Sequence, residues 1–508
     1  MTGKNAIANL VGNLAVPMTG LVMTPFYLKK IGLEGLGLIG LMTLVTTVLG
    51  VFVAGTSKTY QRDLSAAHTS APQDVRGLVS GGMLFFTLLG VGLGISVQLI
   101  GQQHIPRIME GTSFSHDTVA RCLWVISLLL CFGFVSGAIV SSLVALRDQV
   151  WPQSAIVFTT IATAIATWLA LEQAPSVEVF YYCQLGGSLG AVLLLTDRCR
   201  TMVRRITGLN RPTSMKLVWK ARVAASGKLS MLLVIHEGIG MLITQIDRLL
   251  VTSRFPVSAL GAYNLAAGPA RFAAIFTNPV VTVTYPELCG LVSSSATRTT
   301  AGEYLGRVTF ILILLLGTGM IVLVPSAQSL LNLWLGTGQF PSETAACLVL
   351  LGCGQLLQAA AGPAYNLTVA HGRVGYAIPK NIVSLILLPI IGVGAVKIWG
   401  LPGIAALGIV YGAISFLVCS VVAYRRHADF RSALRWMGGM SVSLVTAAFL
   451  AVLLCASGLQ GWSIIFLSAL SAFMFSVFFL MRYFGCRPSA WLDSLEAIPR
   501  PAGQAFIV

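Results

Sequence analysis

The sequence predicts an all-α polytopic membrane protein with about fourteen transmembrane helices. Of its 508 residues, 56% are apolar and only 10% are charged, and the mean hydropathy is +0.83, whereas soluble domains carry roughly a quarter charged residues. Apolar runs follow one another from Ile7 to Met481, and each is close to the ~20 residues that a helix needs to cross about 30 Å of hydrocarbon. Because a backbone in lipid must satisfy its polar groups internally, we expect these runs to be helical.

The predicted spans are separated by short polar segments, and their boundaries are soft by a few residues. Nothing resembles a cleaved signal, since the apolar run after Lys4 continues to Leu28 without a small-residue cleavage site. The spans cover residues 7–28, 35–55, 77–101, 120–145, 150–171, 177–196, 229–252, 257–283, 305–334, 344–370, 375–397, 401–424, 438–457 and 462–482.

The positive charges are distributed unevenly between the two sides of the membrane. Most of the 33 Lys and Arg residues fall on the side of the N-terminus, above all between the sixth and seventh spans. The positive-inside bias therefore predicts that both termini are cytoplasmic. The net charge of +16 is explained by basic loops that face an anionic leaflet, so membrane lipids are expected partners and nucleic acid is not.

Two short segments resemble each other and divide the membrane region. Glu34–Leu41 and Ser258–Leu265 each open the second span of their half, and internal repeats are common in secondary carriers. Chance similarity between two apolar segments is the alternative. The predicted regions are an N-terminal lobe, a basic cytoplasmic linker, a C-terminal lobe, two additional spans and a cytoplasmic tail, at 1–197, 198–228, 229–424, 425–482 and 483–508.

Polar side chains within four spans mark the expected path of water or ligand. An ionisable group at the bilayer centre costs at least about 2.5 kcal/mol unless it faces protein or water. Asn264, Arg271 and Asn278 recur at heptad spacing, which places them on one face of span eight. The full set, which predicts a shared hydrated interior, is Asn9, Asn13, Glu237, Asp247, Arg248, Asn264, Arg271, Asn278, Gln355 and Gln358. The alternatives are hydrogen bonds between neighbouring helices and, for Asp247 and Arg248, snorkelling near a helix end.

Short motifs resemble those of a known transporter family. Gln245–Val251 followed by Leu260–Ala267 resembles the seventh and eighth helices of polysaccharide-biosynthesis flippases, and Leu28–Gly37 and Gly55–Arg62 resemble the matching region of the first half. These flippases belong to the multidrug/oligosaccharidyl-lipid/polysaccharide exporter superfamily, together with drug and toxin extruders and the lipid II flippase. The resemblance implies two six-helix lobes in a V-shaped arrangement, with two additional C-terminal helices.

The resemblance also implies a substrate and a location. The substrate would be an undecaprenyl-pyrophosphate-linked oligosaccharide, moved from the cytoplasmic to the periplasmic leaflet of a bacterial inner membrane for O-antigen, capsule or exopolysaccharide synthesis. A polysaccharide polymerase complex is a further candidate partner. Family members have a cationic central cavity, and Arg271 is the best candidate for that role here. Span one lacks the arginine of the lipid II flippase pattern, which favours a polysaccharide unit over a peptidoglycan precursor.

Lys58 and Arg62, near the cytoplasmic end of span two, have two interpretations. They are candidates to receive the pyrophosphate when the substrate enters from the cytoplasm. An ordinary positive-inside role is the alternative.

Two other functions stay open on the sequence. A cation-coupled multidrug extruder of the same fold would need a buried carboxylate, and Glu237 is the one acid deep enough to serve. A membrane-embedded polysaccharide polymerase or glycosyltransferase would need a catalytic region outside the bilayer, but the longest hydrophilic stretch is the basic linker. The sequence has no phosphate-loop or H-E-x-x-H zinc motif and no C-x-x-C pair, and its six His are scattered. We therefore predict a transporter without a catalytic residue, cofactor or metal.

Overall fold

The computed structural model describes residues 3–108, 113–148, 150–207, 215–293, 297–336, 342–371 and 375–484. Within these ranges the chain folds into α-helices without any strand. The helices are α1 Gly3–Ser70, α2 Val75–Ile108, α3 His116–Ala145, α4 Val150–Gln173, α5 Val177–Thr207, α6 Met215–Arg254, α7 Val257–Ser293, α8 Arg298–Leu335, α9 Ser342–Ala370, α10 Ala377–Trp399, α11 Leu401–Ala405, α12 Leu407–Arg426, α13 Phe430–Ala456 and α14 Trp462–Phe484, with a 3-10 helix at Pro72–Asp74.

The described helices include many that suit a membrane. By length and hydropathy, 11 helical stretches of the described chain are able to cross a bilayer. One of them, Leu14–Val53, contains most of the first two predicted spans. The prediction of an all-α, multi-pass membrane protein is therefore confirmed.

The first two predicted spans lie in α1, within which two helices meet at a kink. Neither Pro17 nor Pro25 interrupts its helical backbone, and the non-helical residue within it is Gly32, with φ 71° and ψ 179°. Glycine adopts a positive φ without the steric penalty of a Cβ. The two spans are thus joined by a kink at one glycine rather than by a loop.

The helices on either side of the basic linker extend beyond the predicted spans. α5 continues to Thr207, and α6 begins at Met215. At 1.5 Å per residue, the 40 residues of α6 measure about 60 Å, roughly twice the hydrocarbon thickness. Arg and Lys are good helix formers, so much of the described linker continues the membrane helices.

Contacts between residues divide the chain into two compact units, Met1–Asn264 and Leu265–Val508. The first unit holds α1 to α6 and the first turns of α7, and the second holds the rest of α7 and α8 to α14. The lobe boundaries derived above from the sequence stay predictions.

Ion pairs link α5 to α3 and to the turn that follows α3 in the first unit. Arg121 Nη2 of α3 lies 2.8 Å from Glu178 Oε1 near the start of α5, and Arg198 Nε of α5 lies 2.7 Å from Asp148 Oδ2, which follows the end of α3. Apolar side chains exposed to lipid supply no such directional contact between neighbouring helices. These pairs therefore help to set the position of α5 along α3.

The two copies of the sequence repeat lie against each other within the first unit. A Cβ added to Gly37 would lie 2.0 Å from the Val257 carbonyl oxygen, and one added to Gly261 would lie 2.3 Å from the Leu33 carbonyl oxygen. Gly37 and Gly261 are equivalent in the repeat, as are Leu33 and Val257, so the contact is reciprocal, as at a two-fold interface. This symmetry favours an internal repeat over chance similarity.

Glycines also bring two helices of the second unit close together. A Cβ on Gly354 of α9 would lie 2.6 Å from the carbonyl carbon of Gly408 on α12, and one on Gly412 would lie 2.9 Å from the Gly354 carbonyl oxygen. Gly408 and Gly412 form a G-x-x-x-G pair, a spacing that lets membrane helices approach closely.

The two C-terminal helices pack on α8. Phe310 and Ile321 of α8, Trp436 of α13 and Phe479 of α14 belong to one buried apolar cluster. Arg307 of α8 lies over the Trp436 ring, 5.5 Å from its centroid, a distance that allows a cation–π interaction. The additional helices are thus an integral part of the second unit.

Candidate functional site

Asp247 is the centre of a hydrogen-bonded cluster in the first unit. Its Oδ2 accepts a hydrogen bond of 2.7 Å from the Tyr263 hydroxyl, and its Oδ1 accepts one of 2.8 Å from the backbone N–H of Arg248. The Tyr263 side chain is 0% exposed. A carboxylate in an apolar setting is tolerated when it is hydrogen-bonded, so this contact ties the end of α6 to the start of α7.

Arg248 is a buried member of the same cluster. It is 6% exposed, and Gln245 is 5% exposed. The Nη1 of Arg248 donates to Gln245 Oε1 at 3.1 Å. Thr244 lies one turn before Arg248 on α6, yet Thr244 is exposed and Arg248 is buried. The guanidinium therefore contacts protein, and Gln245, whose Nε2 donates to Thr244 Oγ1 at 3.4 Å, links the two side chains.

Asn264 lies next to this cluster on α7. Its Nδ2 lies against Gly40 of α1. A Cβ atom added to Gly40 would be 1.9 Å from that nitrogen. That Nδ2 is buried and has no hydrogen-bond partner among the described residues. An unpaired buried donor costs about 1–3 kcal/mol, and such groups in native proteins call for an explanation such as a bound water or ligand.

The remaining candidates with described side chains lie in the second unit or near the end of α1. Arg271 is exposed, and the described part of the chain offers it no carboxylate within ion-pair distance. Gln355 and Gln358 are half-buried on α9. Arg62 pairs with the adjacent Asp63, with 2.9 Å between Nη2 and Oδ1.

The structure thus brings together some of the predicted residues. Asp247 and Arg248 share one cluster of the first unit, and Asn264 follows its Tyr263 on α7, whereas Arg271, Gln355 and Gln358 belong to the second unit. The predicted residues whose side chains lie outside the described part of the structure are Asn9, Asn13, Lys58, Glu237 and Asn278.

Lys380 is a polar residue that sequence reasoning missed. Since it lies near the start of α10, its charge resembles that of an ordinary anchoring residue. In the structure its Nζ donates to Ser415 Oγ at 3.1 Å and lies over the Tyr411 ring, 5.1 Å from the centroid. Helical spacing is the sequence signal that could have identified Lys380, because Ser384 lies one turn further along α10 on the same face.

Two histidines that are distant in the sequence stack in the second unit. His371 follows the last residue of α9, and His427 caps the C-terminus of α12. Their ring centroids are 3.8 Å apart, with an interplanar angle of 29°. Histidines that are scattered in the sequence are thus neighbours in the fold in this one case. The described residues include no group of three or more His, Cys, Asp or Glu that could hold a metal.

An apolar groove of about 490 Å³ lies between α1 and α4 in the first unit. Met18 and Val22 line it from α1, and Ile161, Ile165 and Trp168 line it from α4. None of the predicted site residues with a described side chain lines it. Its lining suits a hydrocarbon chain rather than a saccharide.

Comparison with known proteins gives a family and a fold. The sequence profile of a family described as "Polysaccharide biosynthesis protein" matches residues 2–291. Among curated proteins, no match to the chain was found.

The chain is similar in structure to several solved transporters. The lipid II flippase MurJ in an inward closed conformation matches with a TM-score of 0.70 at 13% identity, over 94% of this chain and 98% of that chain. The MATE multidrug transporter DinF-BH matches with a TM-score of 0.56 at 15% identity, over 85% of this chain and 97% of that chain. The Vibrio cholerae MATE transporter VcmN in its bent form matches with a TM-score of 0.53 at 12% identity, over 86% of this chain and 100% of that chain.

At such low identities these likenesses show the fold alone. The family follows from the profile, because residues 2–291 make up more than half of the 508 residues. The chain therefore belongs to the polysaccharide biosynthesis protein family and has the membrane-transporter fold of MurJ and the MATE transporters.

Proposed function

We propose that this protein flips an undecaprenyl-pyrophosphate-linked oligosaccharide from the cytoplasmic to the periplasmic leaflet of a bacterial inner membrane. The product would serve the synthesis of O-antigen, capsule or exopolysaccharide. The movement involves no covalent step, so the protein acts as a transporter rather than an enzyme, without a cofactor. Both termini lie in the cytoplasm, and a polysaccharide polymerase complex is the expected neighbour on the periplasmic side.

The observation that carries this proposal is membership of the polysaccharide biosynthesis family by a multi-pass helical protein. The fold supports it, since MurJ is named a lipid II flippase and lipid II flipping is a related task. A lipid-linked saccharide combines an anionic head, many hydroxyls and a long apolar tail. It therefore needs polar groups within the membrane together with open access to lipid.

The polar residues of the spans have distinct roles in this proposal. Arg271, exposed and without a described carboxylate partner, neutralises phosphate, which guanidinium groups bind bidentately. The unpaired Asn264 amide, with Gln355 and Gln358, exchanges hydrogen bonds with the sugar. Arg248 supports the site without contacting the substrate, because its guanidinium is buried against Gln245.

The other predicted residues complete the proposed path. Asn9, Asn13, Glu237 and Asn278 extend the polar surface along their spans, and Asp247 holds the Tyr263 contact in place. Lys58 and Arg62 receive the pyrophosphate on the cytoplasmic side. The lobes alternate access to the two leaflets, as in other carriers built from repeats.

The membrane potential supplies a driving force. An interior-negative potential favours outward movement of an anion by about 2.3 kcal/mol per charge per 100 mV. The two phosphates of the substrate therefore make outward flipping favourable without ATP.

The proposal is tested first by complementation. The gene is introduced into bacterial strains that each lack one lipid-linked saccharide flippase, and the restored polymer is scored. Restoration of a surface polysaccharide supports the proposal. Restoration of none, together with efflux of a lipophilic cation that depends on Glu237, would instead establish a multidrug extruder.

A second test addresses Arg271 directly in reconstituted vesicles. Arg271→Ala is expected to reduce flipping of the lipid-linked saccharide at least tenfold, and Arg271→Glu to abolish it, since one charge-assisted contact contributes about 1.5–3 kcal/mol. Arg254→Ala is the control. Arg254, the last residue of α6, is exposed like Arg271 and has no proposed role. Unimpaired transport by both Arg271 variants would remove this residue from the site.

A further inference from the structure

Lys380 lies on the face of α10 that packs into the second unit. Ala377, Ser384 and Leu388 on that face are 3%, 0% and 2% exposed, whereas Ile386 on the opposite face is 60% exposed. Ser384 also donates its hydroxyl proton to the Lys380 carbonyl oxygen at 3.0 Å. Because residues four apart share a helix face, the Lys380 side chain leaves the helix toward protein and not toward lipid.

The ammonium group points into the membrane rather than out of it. α10 begins near the side of the bilayer at which α12 ends, because the two helices are consecutive crossings joined by the short α11. Ser415 and Tyr411, which contact Lys380 Nζ, precede Arg425 in the last turn of α12 by about 15 and 21 Å along the helix axis. A snorkelling lysine would extend in the opposite direction, toward the interface.

Only neutral groups surround this ammonium in the described structure. Its contacts are the Ser415 hydroxyl and the Tyr411 ring, and the described residues include no carboxylate within ion-pair distance of it. A hydroxyl and a ring face do not neutralise a charge, and an unneutralised charge within a membrane span marks a functional site by default. The arrangement therefore suits an anion that arrives from outside the protein.

We propose that Lys380, with Ser415, forms an anion-binding position in the second unit that takes a phosphate group of the lipid-linked substrate. This inference rests on the function proposed above and adds a residue to its site. The ammonium binds a phosphate oxygen as a point charge, and the Ser415 hydroxyl, now hydrogen-bonded to Lys380, becomes a second donor to the phosphate. The Tyr411 ring holds the side chain in its inward orientation when no substrate is bound.

The test is a binding measurement on the purified full-length protein in phosphatidylcholine nanodiscs. Its probes are undecaprenyl pyrophosphate, undecaprenol, inorganic pyrophosphate and phosphatidylglycerol, with affinities measured by native mass spectrometry. Lys380→Met removes the charge and keeps the length of the side chain. Lys397→Met is the matched control, since Lys397 is an exposed lysine in the last turn of the same helix.

Lys380→Met is expected to weaken the binding of undecaprenyl pyrophosphate by about tenfold or more, as expected for the loss of one charged hydrogen bond. Lys397→Met should stay within about twofold of wild type, and Lys380→Arg should retain most of the affinity. Undecaprenol should bind weakly and without dependence on Lys380, whereas inorganic pyrophosphate should show the same dependence as the lipid. If Lys380→Met fails to fold, Lys380→Gln, which keeps a donor for Ser415 without the charge, tests the same loss.

Two outcomes would overturn the inference. One is wild-type affinity for undecaprenyl pyrophosphate in a folded neutral variant of Lys380. The other is phosphatidylglycerol binding as tightly as undecaprenyl pyrophosphate with the same dependence on Lys380, which would indicate a site for bulk lipid. Either result, combined with wild-type flipping of lipid-linked saccharide, refutes the Lys380 position alone. A wild-type protein that binds no phosphate-bearing lipid and restores no polymer refutes the proposed function as well.

Discussion

Asp247 and Asn264 both lie in the first unit but differ in how their polar atoms are satisfied. The Asp247 carboxylate accepts hydrogen bonds at both oxygens, whereas Asn264 Nδ2 is buried without a partner among the described residues. A satisfied buried polar network stabilises one packing arrangement, and an unsatisfied group does the reverse. We therefore assign Asp247 chiefly to stability and Asn264 to ligand binding, and the two assignments make separate predictions.

Tyr263→Phe should lower the free energy of unfolding by about 1.5–3 kcal/mol, because it removes a hydrogen bond to a carboxylate. The measurement is the unfolding transition of the purified protein in detergent. Tyr182→Phe is the control, since Tyr182 is 49% exposed and should change stability little. Equal stabilities of the two variants would show that the Tyr263 hydroxyl contributes nothing.

Asn264→Leu is expected to have opposite effects on stability and transport. Removing the unpaired donor should raise the free energy of unfolding by about 1–3 kcal/mol, while flipping of the lipid-linked saccharide falls, as is common when a functional site is stabilised. Asn381→Leu is the matched control, because Asn381 is 8% exposed and its Oδ1 is likewise unpaired among the described residues. It should gain stability without losing transport. Full transport by the Asn264 variant would contradict the assignment.

Helices in this protein approach most closely where glycine leaves room for a neighbouring backbone. The reciprocal contact of Gly37 and Gly261 joins the starts of two spans in the first unit, and Gly354 and Gly408 bring the middle of α9 against the start of α12 in the second. The hydrophobic effect supplies little force between helices in lipid, so van der Waals contact at short distance matters more. Small residues at crossings are thus a main determinant of element packing here.

Gly261→Ala should destabilise the protein by about 1–3 kcal/mol, the usual cost of overpacking. The added Cβ would lie 2.3 Å from the Leu33 backbone oxygen, whereas a Cβ at Gly268 of the same helix meets nothing within 4 Å. Gly268→Ala is therefore the control, and it should be neutral or slightly stabilising, since alanine favours a helix. The measurement is the thermal unfolding midpoint of each variant. Equal midpoints for the two alanine variants would exclude a tight crossing at Gly261.

At the scale of the whole molecule, the distribution of basic residues predicts how the chain is oriented in the membrane. The side that carries most Lys and Arg should be cytoplasmic, and this places both termini there. The orientation determines the direction of the proposed transport, because the substrate enters from the cytoplasmic leaflet. It also assigns the turn between α13 and α14 to the periplasm.

Fusions of reporter proteins test this orientation. Green fluorescent protein fused after Phe484 should fluoresce, and alkaline phosphatase fused there should be inactive, because the former requires the cytoplasm and the latter the periplasm. Truncation after Gly458, between α13 and α14, provides the control and should give the reverse pattern. An active phosphatase at Phe484 would invert the topology and the proposed direction of flipping.

The sequence by itself determined the class of this protein. Run length and hydropathy predict crossing helices because the bilayer imposes a length on any span, and the motifs around Asp247 and Asn264 indicated the family that the profile then identified. The repeat was also visible, since equivalent glycines recur at Gly37 and Gly261.

Only the tertiary structure decided which polar groups meet. Helical periodicity gives the relative angle of two side chains, but in a chain with apolar residues on every face it does not tell which face meets protein and which meets lipid. The burial of Arg248, the inward direction of Lys380 and the stacking of His371 on His427 all depend on residues supplied by other helices. Those contacts are set by how neighbouring helices pack, and no local pattern in one span contains that information.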